Sequence, residues 1–559
     1  MSSLCKAWPI SVVYLLLNKS EGCDSLEASR FLRDYALREF NALLWVSLIA
    51  LSALSLEKVF KLFRLWAVAR SIPGPPCRSF FGHGGFGSRD EFIDLLSESH
   101  NKYGSICKLW MGPTQLLVSV KDPTLIKEML LKAEDKLPFI GKAFRLAFGR
   151  SNLFFCSYDQ AKKRRESLVL ELNEKLHGRS DIVPNNVVDC IMDKIDNHMS
   201  NGCVNNKLIS QHMAFTMLGA TLFGDAFIAW SKASSYEELI MMIAKDASFW
   251  ASYRVTPFWE RGYWRYQSLC TKLRCLTQDI VKQCTKNCRL FCNMERSTHN
   301  GDARNGTKEA SVWPNSGILM QEKFLSRELD DHLNLKEETC GNVMGVMFHG
   351  WMATASLIET ILERLVKDPE IQDKIYAEII MVRQGSKGPD VHKMFLLLAT
   401  IYESARLLPG GPLLQRCSLK NDLNLNNDVT IPAGSVLVVP VQLLQTDDAS
   451  WGSNADKFNP YRFLSGAGKV STMVEKGSLA GETDDPNHSS VLLNNPSENA
   501  AYLPFGSGTR ACVGQTFVIQ GVATLLASLL ERYKVRLQVR SVDGSKTASP
   551  EIVFVRRNC

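Results

Sequence analysis

The chain is 559 residues long with 45% hydrophobic and 22% charged residues, the balance of a folded protein with a buried core, which excludes wholesale disorder. Its formal charge of +7 is small for that length and comes without a long basic run, so nucleic-acid binding is not supported and a weakly basic, membrane-facing surface fits better. The 16 cysteines are spread without a repeating framework, the pattern of reduced thiols in a cytosol-facing protein rather than a disulfide scaffold.

Two apolar stretches open the chain, residues 7–18 and 40–56. The second would rise roughly 25 Å as a helix against about 30 Å of hydrocarbon, so it spans if Lys58 and Lys61 snorkel. It is read as a transmembrane anchor. Lys58, Lys61, Arg64 and Arg70 outnumber Glu57 after it, which by the positive-inside rule puts the first forty residues in a lumen and the rest in the cytosol. The sequon Asn18-Lys-Ser20 is then open to glycosylation, and those at Asn305 and Asn487 are not. Residues 7–18 alternatively fit the apolar part of a cleaved signal or an interfacial segment. Residues 1–71 thus form an N-terminal segment and anchor. In Ser71-Ile-Pro-Gly-Pro-Pro76 three prolines forbid a continued helix, and the segment reads as a stiff hinge leading into one domain, 72–559.

From the hinge to about residue 415 helical patterns dominate, with alternating strands predicted at Ser105-Ile-Cys-Lys-Leu-Trp and Gln115-Leu-Leu-Val-Ser-Val. The fold expected is mainly α with small β-sheets. Polar stretches at about 297–317 and 466–500 read as surface insertions. Cys284, Cys288 and Cys292 recur every four residues on one helical face. Without CxxC pairs or nearby histidines to close a tetrahedral shell, they read as packing.

The most informative string is Pro504-Phe-Gly-Ser-Gly-Thr-Arg-Ala-Cys-Val-Gly514. Gly506 and Gly508 permit unusual torsions and close backbone approach, and Gly514 lets a following helix pass close to a flat ligand. Cys512 is placed at a helix N-terminus, where the dipole and free N–H groups favour the thiolate. Arg510, two residues earlier, is placed to reach a carboxylate at the ligand's edge. Glu403 and Arg406 stand three apart on one helical face, and Arg462 is able to join them from a loop.

Phe505-x-x-Gly508-x-Arg510-x-Cys512-x-Gly514 resembles the haem-binding signature of the cytochrome P-450 superfamily. Glu403-Ser-Ala-Arg406 is similar to its ExxR motif, Phe458-Asn-Pro-Tyr-Arg462-Phe to its aromatic-Pro-x-Arg segment, and the run from Glu359 to Ile379 to its central helix passing into the next. The resemblance covers residues 72–559. It implies a microsomal-type cytochrome P-450 fold, similar to plant members, with an N-terminal membrane anchor and small sheets at the N-terminal side. It further implies heme b (iron protoporphyrin IX) held by Cys512 as metal ligand, with Phe505, Gly508, Arg510, Gly514 and Arg165 around it, and Glu403, Arg406 and Arg462 as a structural triad. The implied partners are NADPH-cytochrome reductase, a small lipophilic substrate and the endoplasmic reticulum membrane.

The chain departs from that pattern at two places. In His349-Gly-Trp-Met-Ala-Thr354, Met352 stands where the family has an acid and Ala353 where it has an alcohol, the pair that relays protons to iron-bound dioxygen. Thr354, one position on, and His349, about one turn earlier, are the candidate substitutes if the helix bulges there. Trp351 and Met352 are candidate walls of an apolar pocket. In Ala161-Lys-Lys-Arg-Arg165 an alanine replaces the family's tryptophan, leaving Arg165 for a propionate. Three functions follow: a monooxygenase acting on a small apolar molecule, a same-fold isomerase or dehydratase acting on an already oxygenated substrate, or a catalytically silent haem protein.

Overall fold

The computed structural model describes residues 25–77, 82–83, 89–133, 162, 165–166, 185–199, 205–246, 261–298, 332–385, 390–418, 420–425, 429–465, 492–496, 499–538 and 551–557. Two compact units emerge, Met1–Arg70 and Ser71–Cys559.

In the first unit a single helix, α1, runs over Ser25–Ala69. Its stretch Arg33–Ala69 is long and apolar enough to cross a membrane by length and composition. The predicted span 40–56 lies inside it, and Leu43, Trp45, Val46 and Ile49 are exposed all round, as a lipid-facing helix requires. The helix extends beyond the span on both sides because nothing from residue 25 to 69 is a proline or glycine. Residues 7–18 and all three sequons lie outside the described residues.

The second unit starts at the proline segment. There the Pro73 carbonyl accepts the Lys108 N–H at 2.8 Å, so the segment is tied to the first strand, and a Cβ on Gly74 would collide with the Lys108 carbonyl. After α2 (Arg89–Tyr103), strands β1 (Ile106–Trp110) and β2 (Leu116–Val120) pair antiparallel, each one residue shorter than predicted. Helices α3 (Pro123–Lys132), α4 (Asn185–Met199), α5 (Asn206–Phe223), α6 (Ala233–Asp246) and α7 (Arg261–Thr298) follow. The central helix α8 (His332–Lys367) packs along α5 and is buried over much of its length. It stops where Pro369 opens α9 (Pro369–Gly385), since proline lacks the N–H that would continue the ladder. Helix α10 (Phe395–Leu407) carries the ExxR string.

The sheets are small, as expected, but not confined to the N-terminal side. Strands β3 (Leu413–Arg416) and β6 (Val436–Pro440) complete a four-stranded sheet of order β1-β2-β6-β3, while β4 (Leu423–Leu425) and β5 (Val429–Ile431) form a separate hairpin. Pairing β2 with β6 in parallel, Leu117 opposite Val436, requires a long crossover, and all the intervening helices supply it. Strand β7 (Leu464–Ser465) pairs with β8 (Leu492–Leu493), so the ends of the predicted 466–500 insertion meet within its C-terminal part. Most of that insertion and of 297–317 lies outside the described residues. The chain ends with α11 (Gln515–Arg532) and the hairpin β9 (Tyr533–Gln538) and β10 (Glu551–Arg556).

Candidate active site

A cavity of about 520 Å³ opens between α5, α8, the loop after α10 and the segment 503–514. Leu218 and Leu222 of α5, Val346, Met352 and Leu357 of α8, and Leu413 and Leu414 of β3 give it an apolar wall. The polar side chains on it are Arg165, Thr221, His349, Arg510 and Cys512, and among the described residues no carboxylate lines it.

The 503–514 loop is shaped by two left-handed glycines, Gly506 (φ 72°) and Gly508 (φ 69°), a conformation in which a side chain costs about 1 kcal/mol or more. They turn the chain back so that the Cys512 N–H donates to the Phe505 carbonyl at 2.8 Å. Phe505, Gly506, Arg510, Cys512 and Gly514 line the cavity, whereas Gly508 does not and acts through the turn alone. A Cβ on Gly514 would meet no protein atom within 4 Å, so the space it faces is the cavity.

Cys512 is exposed, but its surface opens into that cavity. Burial pushes its thiol above the usual range, with the Gly514 N–H and the positive charge of Arg165 pulling the other way. The protein alone therefore gives the expected thiolate no net help. The helix α11 has Gly514 as its N-cap, two residues beyond Cys512, and one N–H does not outweigh desolvation.

Arg165 donates to the Ala511 carbonyl at 2.6 Å and, like Arg510, is 9% exposed. A third arginine, Arg416 at the end of β3, was not anticipated from the motifs. It is 4% exposed, its Nη1 donates to Gln415 O at 2.8 Å, and its buried Nη2 has no hydrogen-bond partner. Burial, then the charges of Arg510 and Arg165, lower its pKa to about 10. Among the described residues no carboxylate lines the cavity beside these charges, and an acidic ligand suits such a cluster. A flat apolar ring carrying carboxylates, with a metal to meet Cys512, fits this donor set, so the residues present suit the haem that the resemblance implies. No motif in the sequence marked Arg416, a charge that closes the strand Leu413-Leu-Gln-Arg416. Lys163 and Arg164 lie outside the described residues.

On α8 the candidates separate. His349 lines the cavity with its ring edge-on to Phe348 at 5.3 Å, and Met352 and Ala353 line it as well. Thr354 does not. It is fully buried, its Oγ1 has no hydrogen-bond partner, and α8 is α-helical throughout, with no bulge to swing the hydroxyl round. Trp351 is likewise turned inward, its Nε1 donating to Gln211 O at 2.9 Å, so of the two predicted wall residues only Met352 reaches the cavity.

Glu403, Arg406 and Arg462 do meet. Arg406 is bidentate on Glu403 (Nε–Oε2 2.7 Å, Nη2–Oε1 2.9 Å), and both are fully buried. Arg462 Nε reaches Glu403 Oε1 at 3.0 Å, and the Asn459 N–H donates to the same oxygen at 2.9 Å. Arg406 Nη1 donates to the carbonyls of Gln445 and Ala455, and the Trp451 ring lies 5.0 Å from its guanidinium. The triad thus ties α10 to the loop 445–462. Cys284 sits in the core with its thiol 3.8 Å from Phe223 O, and the side chains of Cys288 and Cys292 are outside those described.

The cytochrome P-450 family model matches residues 72–558. Among relatives, 11-oxo-beta-amyrin 30-oxidase of Glycyrrhiza uralensis is 30% identical over 228 residues, covering 40% of this chain and 38% of that protein. Cytochrome P-450 709B1 of Arabidopsis thaliana is 24% identical over 508 residues, 83% of this chain and 86% of that protein. Cytochrome P-450 4X1 of Homo sapiens is 23% identical over 518 residues, 86% of this chain and 89% of that protein. A match over nearly the whole second unit, with a cysteine on the wall of an apolar cavity that Arg165 and Arg510 also line, places the chain in the cytochrome P-450 family, whose members are in general haem-thiolate monooxygenases.

Proposed function

We propose that the chain oxidises a small lipophilic substrate, using dioxygen and electrons from NADPH-cytochrome reductase, with heme b held by Cys512. The observation that carries this reading is the Cys512 surface opening into a cavity lined by Arg165 and Arg510, with the charge of Arg416 close to both. When bound, the haem supplies the oxygen-activating chemistry, tuned by its thiolate ligand. The rest falls to the chain. Arg510, Arg165 and Arg416 hold the propionates, Phe505 and Gly514 flank the ring, and Leu218, Met352 and Leu357 exclude water from the substrate. His349 is the protic group of α8 that faces the cavity, so its ring nitrogens carry the proton delivery that Met352, Ala353 and the inward-facing Thr354 do not. The helix α1 anchors the protein in the endoplasmic reticulum membrane with the catalytic domain in the cytosol.

A second reading keeps one observation of its own. The cavity wall carries methionine and alanine where a proton relay would stand, which suits rearrangement of an already oxygenated substrate. One experiment separates them. The carbon monoxide difference spectrum of the reduced protein, for wild type and Cys512→Ser, is followed by reductase-supported oxygen uptake. A thiolate-type Soret shift lost in the variant, with substrate-dependent oxygen consumption, is the expected result. No shift in haem-loaded wild type removes Cys512 as the ligand; a shift without oxygen uptake moves the rearrangement ahead.

A further inference from the structure

Cys512 and His349 line the same cavity from different elements, the cysteine from the 503–514 loop and the histidine from α8. The other polar side chains there are poor partners for a metal. Arg165 and Arg510 keep their protons and have no lone pair to give, and the Thr221 hydroxyl donates to the Met217 carbonyl at 2.8 Å. Neutral imidazole is the commonest metal ligand among side chains, and haem iron takes it readily. Besides Cys512 and His349, Met352 with its softer thioether is the cavity side chain among the described residues that is able to bind iron.

The helix presents His349 to that room. Because α8 is regular from 332 to 367, His349 shares its cavity face with Gly350 and Ala353, and neither neighbour has a side chain long enough to come between the ring and the cavity. The ring packs edge-on against Phe348 at 5.3 Å, and its Nε2 is buried in the wall. Turning the ring about Cβ–Cγ exchanges Nε2 with Cε1 and Nδ1 with Cδ2, so a nitrogen takes the place of a carbon on the ring edge without any movement of the backbone.

We propose that His349 is a reversible second protein ligand of the haem iron, holding the sixth position while the cavity contains no substrate. This rests on the reading that Cys512 binds the haem. The lone pair of a neutral ring nitrogen makes the bond and a water leaves, with no electron transferred. A substrate filling the apolar room beside Met352 and Leu357 displaces the ring. The imidazole then returns to the cavity wall, where the proposed proton delivery needs it. His349 thereby keeps dioxygen off an empty site.

The test uses the haem-loaded full chain without substrate and reads the ferric Soret band and the electron paramagnetic resonance spectrum. Wild type is low-spin with its Soret band at longer wavelength than that of His349→Ala, and imidazole added to His349→Ala restores the wild-type spectrum. Imidazole binds His349→Ala at least about tenfold more tightly than wild type, because in wild type the internal ligand must first leave. A merely structural role would not be rescued by free imidazole. Identical spectra for wild type and His349→Ala, equal imidazole affinity, or a band that moves in Met352→Ala instead overturns the proposal. If His349→Ala fails to load haem, wild type carrying isotopically labelled histidine decides: hyperfine coupling of a labelled nitrogen to the low-spin iron supports ligation, and its absence overturns it. Failure of the underlying reading is distinguishable, since the thiolate-type carbon monoxide shift is then missing from His349→Ala as well as from wild type.

Discussion

Replacing Arg416 by methionine is expected to move two properties in opposite directions. In the protein alone its guanidinium is held at an energetic disadvantage, its pKa lowered from 12.5 to about 10 by burial and by Arg510 and Arg165. A drop of that size corresponds to about 3 kcal/mol. Against this, the variant loses the Nη1 bond to Gln415 O, worth about 1 kcal/mol. The net expectation is a haem-depleted chain more stable by about 1–2 kcal/mol, read as a later urea midpoint at unchanged slope. The haem-loaded protein behaves the other way. Losing one charge-assisted bond to a propionate, about 1.5–3 kcal/mol, speeds haem transfer to an acceptor such as apomyoglobin by about ten- to a hundredfold. A haem-depleted variant less stable than its parent, together with unaltered haem transfer, would refute the idea that the three arginines await an acid.

Removing Arg406 (Arg406→Leu) leaves the buried Glu403 carboxylate without its bidentate partner and the carbonyls of Gln445 and Ala455 without that donor. A loss of about 3–5 kcal/mol is expected, seen in chemical unfolding, and a variant of parental stability would show that the triad is not what ties α10 to the following loop. Glu378 accepts the N–H groups of Leu396 and Leu397 at the start of α10, and desolvation raises its carboxyl from 4.5 to about 7. Because the folded pKa is the higher one, its contribution is full below about pH 4.5 and fades as pH rises through 7. Stability should fall by about 3 kcal/mol across that window in wild type relative to Glu378→Gln, and parallel pH profiles would contradict it. For α8, Thr354→Val should leave reductase-supported oxygen uptake unchanged and stability equal or higher by about 1 kcal/mol, since the buried hydroxyl has no partner. His349→Leu should lower turnover at least about tenfold, and the reverse order of effects would restore Thr354 as the proton carrier.

What was legible in the sequence was local. The 504–514 string carries its own turn geometry, because two glycines must adopt positive φ for Cys512 N–H to reach Phe505 O, and no distant contact is needed to see it. The ExxR pairing is equally local, three residues on one turn of α10. Arg462 joins it from 59 residues away only because the loop passes beneath α10, which the aromatic-Pro-x-Arg segment suggested by resemblance. Arg416 was not legible, since its meaning comes from Arg165 and Arg510, neither of them its neighbour in the chain. Nor was the upward push of burial on the Cys512 thiol. The sequence suggests a helix N-terminus, but the effect of burial depends on what surrounds the sulfur in three dimensions.

The same distinction decides the chemistry of α8. A helix advances 100° per residue, so His349, Gly350, Ala353 and Leu357 share the face that lines the cavity, while Met347, Trp351, Thr354 and Ile358 form the adjoining stripe, each 2% exposed or less. Moving an alcohol one position along such a helix does not displace it slightly within the site. It turns the hydroxyl from the ligand toward the core, where a valine would serve as well. A bulge would undo that rotation, yet α8 is regular from 332 to 367. On the proposed reading the proton-handling duty on this wall falls to His349, because Met352 and Ala353 beside it bring no group that carries a proton.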